Sequence, residues 1–419
     1  MMKGLRRSLA TGLVLAGGLL AGNSWAQTVP NCSDATMFPN PIYITGSTAY
    51  QPTAGLFAVQ MAALTSATDK ATIVYQNALG SCDGPPAIMS GSMLTGTATV
   101  WTPGPNFAND KTSITKGSCT LDSTHGADIG ASDIFWKNCP NLSGVTQPPE
   151  IKDYQGPVQA MIFVVAAPQN TSFSAMSALE AQLIWGCGMG GMVTPFDDNN
   201  GIQQRGPTSG SQGMVAKSIN IPATGFFGMT NSGGGNVVSS IAAYVMTHNP
   251  NKAIGFIAGD LFDTNRTALY PVAFQQFNQT KAFYADSSRD AKDRKNVRDG
   301  HYGVWGPEHF FAKIDTTTGM PTSAAAAKFL GATFGTMFSS NFDYIELESL
   351  AGVIPQCAMK VTRDDDGILG PIKPKTDVTD PCGCAFEKFR TGLTSCTACT
   401  GTGTSTCTGG KACHHGFCE

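Results

Sequence analysis

The sequence predicts an α/β fold followed by a small disulfide-rich tail, on three observations. Short apolar runs alternate with helix-length patterns between residues 41 and 334, the arrangement of strands joined by helices. Several runs end in glycine and hydroxyl residues, as in Gly46-Ser47-Thr48, Gly80-Ser81 and Gly130-Ala131-Ser132-Asp133. From Cys382 onward the chain is mostly Cys, Gly and Thr, too poor in apolar surface for a core and therefore shaped by disulfides.

Taken in order, Pro41 to Thr45 reads as an extended run and Thr53 to Leu64 as an amphipathic helix. Thr72 to Leu79 is the next strand. Asp83 to His125 is rich in Gly, Pro and Thr and reads as an insertion with little regular structure. Asp128 to Asp133 closes a short strand, and Val158 to Ala167 is apolar enough for a strand buried on both faces. Ser174 is the expected cap of a helix from Ala175 to Trp185, stopped at Gly186. Past the glycine turn Gly233 to Gly235, Asn236 is the expected cap of a helix reaching about His248. Ala253 to Ala258 and Tyr302 to Ala312 read as strands and Ser323 to Phe334 as a helix, while Ser287 to Arg298 reads as a solvated loop. Asp364 to Gly367 is a solvated turn, without the glutamate a calcium loop needs.

Only 14% of the 419 residues are charged and the formal net charge is -3, so no bulk field points to nucleic acid or an acidic membrane surface. A hydrophobic content of 42% supports a packed core despite 48 Gly and 24 Pro. Residues 1–26 have the form of an export signal: Lys3, Arg6 and Arg7, the apolar run Leu9 to Ala21, then Ser24-Trp25-Ala26 before Gln27. A periplasmic or secreted protein is expected. Its thirteen cysteines are then disulfide material, and an odd number leaves at least one unpaired.

The chemistry centres on 205-RGPTSGS-211. A helix N-terminus carries unpaired N–H groups and about half a positive charge, so it attracts anions. Ser209-Gly210-Ser211 suits that position, and Arg205 offers a planar fork for oxyanion oxygens. In open α/β sheets such loops gather at the carboxyl ends of strands.

The segments YITGSTA, YQNALGSCDG, DIGASD and RGPTSGS, in that order, resemble the four ligand loops of the periplasmic phosphate-binding proteins of ABC transporters. The likeness extends through PVQAMIFVVAAP, ALEAQLIWG and SSIAAYVMTHNPNKAIGFI and excludes the tail. It implies a two-lobed type II periplasmic binding protein with a hinge and a central ligand cleft. Lobe I would comprise 27–157 and 299–360 and lobe II 158–298, with a linker at 361–381 and the tail at 382–419. Carried over by position, it implies phosphate contacts from Thr48, the backbone at Ala49, Ser81, Asp133, Arg205, Ser209, Gly210 and Ser211. It implies no catalysis, cofactor or metal, an inner-membrane ABC transporter permease as partner, and a monomer. Asp133 would accept the proton that phosphate keeps and sulfate lacks, so that sulfate meets a bare charge. Pro207 stands where the family commonly has an acid supporting the arginine, and Ala49 where it has an aromatic.

Other constellations were weighed. Gly80-Ser81-Cys82-Asp83-Gly84 has the form of a nucleophile elbow, with His125, His248, His301 or His309 as a base, but a disulfide at Cys82 is favoured. Cys396-Thr-Ala-Cys399 and Cys413-His414-His415 offer zinc-like spacing, and disulfides are again favoured. A further reading keeps the fold as an envelope or cell-surface interaction protein with a relaxed ligand site, and a secreted Ser/Cys hydrolase is the third.

Overall fold

A computed structural model describes residues 29–76, 80–167, 173–337, 342–401 and 407–419. The expected export signal, and 77–79 of the second expected strand, lie outside those residues.

The chain begins with β1 (Pro41–Gly46), α1 (Gln51–Ala62) and β2 (Thr72–Gln76), then α2 (Gly84–Ser90) and the long hairpin of β3 (Met93–Pro103) and β4 (Ile114–Gly126). It continues through β5 (Ile129–Ser132) and β6 (Ile151–Ala166) to β7 (Ala175–Ser177), α3 (Ala178–Cys187), β8 (Gln203–Arg205) and α4 (Gly210–Ile219). There follow β9 (Met229–Asn231), α5 (Gly234–Thr247), β10 (Ile254–Ala258), α6 (Gly259–Thr264), β11 (Leu269–Pro271) and β12 (Ala273–Gln275). The chain returns through α7 (Lys295–Arg298), β13 (Trp305–Lys313), α8 (Ala324–Thr333) and α9 (Tyr344–Ala351), and α10 (Gly383–Thr391) opens the tail.

The main sheet has the order β10-β6-β13-β5-β1-β2-β3-β4, with β11 also on β6. β1 lies parallel to both β2 and β5, so the three loops leaving these strands share one edge. β6 serves two neighbours in succession: 151–160 pair with β13 and 161–165 with β10. One continuous strand therefore joins two regions. Phe57, Phe310 and Phe329 fill the core beside β1, while Phe163, Trp185, Phe256 and Phe274 fill the core beside β10. Each such fully buried aromatic contributes about 1.5–3 kcal/mol.

Several expectations are corrected. The segment 83–125 is not irregular: β3 and β4 pair from Met93 to Gly126. Their threonines are good strand formers, and Leu94, Ala98, Val100, Cys119 and Leu121 form a small core that the Cys32–Cys119 disulfide closes. Sequence alternation was blurred because much of this hairpin faces solvent on both sides. The helix expected from Ala175 starts at Ala178, because Ser177 and Glu180 cap each other reciprocally and 175–177 pair as β7. Asn236 is not the cap of α5. The helix starts at Gly234, and Asn236 Nδ2 donates to Ser232 Oγ at 2.8 Å.

The charged run 287–298 is not simply solvated. Arg294 is buried, donating to Asp286 and Asp263 and to the Gly259 carbonyl, so its charge is neutralised inside rather than in water. Asp366 is likewise buried, accepting the Phe135 N–H at 3.0 Å and Asn138 Nδ2 at 2.7 Å. That turn anchors the chain to the segment after β5. The tail also joins the main core, through Cys382, Ala385 and Phe386. Cys357–Cys382 ties it to the body, Arg298 pairs with Glu387 at 2.9 Å, and Arg390 pairs with Asp263. Glu419 accepts N–H bonds from Gly383 and Cys384 at the N-terminus of α10, where a carboxylate is favoured.

Candidate functional site

Parallel pairing brings the ligand-loop candidates together. Gly46 lies beside Ala131 in register with φ +118, and a Cβ there would overlap the Ala131 carbonyl oxygen. Only glycine lets the first loop approach the third so closely. The Ser47 N–H then donates to Ala131 O at 2.9 Å.

The result is a dry cluster around Asp133, which is 2% exposed. Ser47 Oγ donates to one carboxylate oxygen and Ser81 Oγ to the other at 2.9 Å. Ser47 Oγ also accepts the N–H groups of Ala49 and Tyr50, at 3.1 and 3.2 Å, and Tyr75 donates to the Ser47 carbonyl. Gly210, the first residue of α4, donates its N–H to Ser81 Oγ at 3.1 Å. A Cβ on Gly210 would overlap Ser81 Oγ, so the second, third and fourth loops meet in direct contact.

Arg205 ends β8 and is 5% exposed. The parallel β8–β9 register sets it opposite Asn231. Its Nε donates to Asn231 O at 3.1 Å, and Nη2 to Ser232 O at 2.9 Å and Thr48 Oγ1 at 3.4 Å. Gln212 on α4 accepts the Arg205 N–H at 2.9 Å and donates to Ala223 O, locking the strand end to the helix. Among the described residues no carboxylate lies within ion-pair distance of the guanidinium. Backbone carbonyls, rather than an acidic side chain, hold the guanidinium. Burial lowers the pKa of Arg205 from its usual value, opposed by the charge of Asp133, yet such a group stays cationic in any ordinary buffer.

A cavity of about 670 Å³ opens beside Arg205. Thr48, Ala49, Arg205 and Ser211 line it, joined by Ser232 and the first turn of α5, Gly233 to Asn236. Ser81, Asp133, Ser209 and Gly210 stand behind this wall rather than on it. Of the eight sequence candidates, four therefore face the cavity. Ser81, Asp133 and Gly210 form the closed cluster, and Ser209 is the N-cap of α4.

Sequence reasoning missed five contributors. Ser47 lies within GSTA, where the resemblance points instead to its neighbour Thr48. Asn231 and Ser232 hold Arg205 through backbone atoms that no side-chain motif reports. Asp260 lines the cavity with its pKa pushed up to about 6 by burial, while Gln159 Nε2 donates to it at 3.0 Å. Glu308 is fully buried where the β13 register slips between Pro307 and His309, with its carboxyl beside that of Asp133. Burial first, and then the charges of Asp133 and Asp260, raise its pKa well above the usual carboxylate value.

The competing constellations lose their reactive groups. Cys82 is bonded to Cys139, which removes the elbow nucleophile. Cys384–Cys396, Cys399–Cys413 and Cys407–Cys418 occupy the thiols with zinc-like spacing, and Cys187 is the free cysteine.

No protein-family model matches the chain, and no curated protein matches it. Solved structures similar to it are phosphate-binding proteins. A putative phosphate ABC transporter substrate-binding protein with bound phosphate from Clostridium perfringens is 15% identical, with 75% of this chain and 99% of that one covered and a TM-score of 0.49. An ABC-type phosphate transport receptor from Vibrio cholerae is 14% identical over 75% and 100% of the two chains, at a TM-score of 0.46. A human phosphate binding apolipoprotein is 12% identical over 75% and 90%, at 0.45.

Proposed function

We propose that this chain is an exported solute-binding protein that captures phosphate, or a similar protonated oxyanion, between two lobes hinged at β6. The observation that carries the reading is Arg205, a buried guanidinium held only by neutral acceptors and opening on a cavity. A buried guanidinium whose nearby carboxylate, Asp133, makes no direct ion pair with it is left under-compensated, and an anion arriving there supplies charge-assisted hydrogen bonds. The N-terminal ends of α4 and α5 also line the cavity, at Ser211 and at Gly233 to Gly235, where helix N-termini favour anions.

On this reading, the ligand enters between Arg205 and the hydroxyl cluster. Ser47 and Ser81 turn their hydroxyls from Asp133 to ligand oxygens, and the P–OH proton takes the vacated place on Asp133. Lobe movement about β6 opens and closes the site. The ligand would pass to an inner-membrane ABC transporter permease, with the chain acting as a monomer in the periplasm. No catalysis is involved. Isothermal calorimetry of the mature chain with orthophosphate and with sulfate tests the reading: tight phosphate binding that Arg205→Ala abolishes supports it, and absence of heat with both anions sinks it.

A second reading is favoured by Asp133 itself, whose two oxygens already have donors within the protein. In that reading the fold persists as an envelope interaction protein and the anion site has relaxed. Selective phosphate binding rejects it.

A further inference from the structure

The cavity is larger than its anion-binding end requires. A tetrahedral oxyanion fills about the space of two or three waters, roughly 60–90 Å³, against about 670 Å³ here. Small-molecule sites run to about 300–1,000 Å³. The same cavity is also lined by residues of a different character, Pro52, Trp101, Lys116, Ala258 and Leu261.

Trp101 and Lys116 are cross-strand partners on the β3–β4 hairpin. The indole is held in place: a Cβ on Gly55 of α1 would come within 2.9 Å of Trp101 Nε1, and the Tyr75 ring stands edge-on at 6.2 Å. What remains exposed of Trp101, 6%, contributes to the cavity. Lys116 is exposed and makes no ion pair among the described residues. A fixed aromatic edge provides contact for a planar group with little entropy to lose. A free ammonium beside it complements a second negative charge.

Resting on the oxyanion reading above, we infer that the ligand is a phosphate monoester of a planar aromatic or heterocyclic alcohol. Its phosphoryl group sits at Arg205, Thr48 and Ser211, and its ring lies against Trp101. The hairpin is the device that converts an oxyanion pocket into an ester pocket. Lys116 extends the preference to rings bearing their own anionic group.

Calorimetry at about pH 5, where a phosphate monoester keeps one proton, on the full mature chain with orthophosphate, phenyl phosphate and 4-carboxyphenyl phosphate tests this. Phenyl phosphate is expected to bind at least tenfold more tightly than orthophosphate, and 4-carboxyphenyl phosphate several-fold more tightly again. Trp101→Ala should bring the phenyl phosphate to orthophosphate ratio close to one. Lys116→Ala, a surface change that leaves the core intact, should remove the gain from the carboxylate. Phenyl phosphate binding no more tightly than orthophosphate overturns the ester inference and leaves the oxyanion reading standing. Binding of neither compound overturns both.

Discussion

Asp133 and Arg205 are both buried charges at strand ends, yet their surroundings differ in kind. Asp133 is satisfied inside the protein, with a serine hydroxyl on each oxygen and α4 packed against those serines through Gly210. Arg205 is held by carbonyls and one threonine hydroxyl, with no carboxylate at ion-pair distance among the described residues, and faces a cavity. Hydroxyls can reverse, offering a proton to a carboxylate in one state and to a ligand in another. Carbonyls cannot reverse, so they fix the guanidinium's position without cancelling its charge. The site thus pairs an adaptable acidic side with a preformed cationic side, and only the cationic side is open.

The contrast makes the largest effect that of Arg205→Ala. Charge-assisted hydrogen bonds contribute about 1.5–3 kcal/mol each, so the dissociation constant for phosphate should rise roughly 100-fold, as read by calorimetry. Arg205→Lys should recover little, because one ammonium cannot span the Asn231 and Ser232 carbonyls and a ligand together. If the lysine variant binds normally, the preformed fork is not what matters.

On the closed side, Gly210→Ala should be felt first as lost stability. Its methyl overlaps Ser81 Oγ, and overpacking of this sort costs about 1–3 kcal/mol, visible as a lower melting temperature. A variant melting at the wild-type temperature would show that the loops part more easily than their contact implies. Asp133→Asn keeps the shape but supplies one donor, so phosphate-over-sulfate preference should fall roughly tenfold, equivalent to about 1.4 kcal/mol. Unchanged selectivity by calorimetry would remove Asp133 from the ligand's contacts.

The smallest effect concerns Asp260 on the cavity wall, whose pKa is pushed up to about 6 from 3.8 by burial. Below that value it is neutral, and above it a negative charge faces the entering anion. Anion affinity should therefore decline as pH rises through about 6, by roughly two- to fivefold, and Asp260→Asn should lack that component in a titration with sulfate, which does not itself change charge there. The same shift has a stability sign. The folded chain holds this proton to about pH 6 while the unfolded chain releases it near 3.8. Its stabilising contribution is thus full below about 4 and lost as pH rises through 6. Melting temperatures of the asparagine variant should be flatter over that window.

Much of the fold was legible because it is written in local pattern. Apolar runs at Pro41, Thr72 and Val158 are strands in the structure, and α8 begins after the Ser323 cap that the sequence shows. The 83–125 segment was not legible, since long stretches of the hairpin are exposed on both faces and its few buried positions show only a weak period of two. Ser177 and Ser174 both precede an apolar stretch, and only the reciprocal bond with Glu180 separates them. Buried charge was the least readable feature. Arg294 and Asp366 sit in segments whose composition signals solvent, and long-range partners rather than neighbours decide their burial.

By itself, then, the sequence determined the chain order of strands and candidate loops, the glycine and hydroxyl residues that end those strands, and a cysteine content matched to an oxidising compartment. Those properties depend on residues within a turn or two of one another, where sterics and periodicity act directly. Tertiary structure alone decided that Ser47 rather than Thr48 meets Asp133, that two carbonyls hold Arg205, and that Trp101 reaches the cavity from a hairpin. Each of these depends on strand register and on approach between distant segments. A hydrogen bond is won or lost within a few tenths of an ångström, a precision that no local pattern encodes.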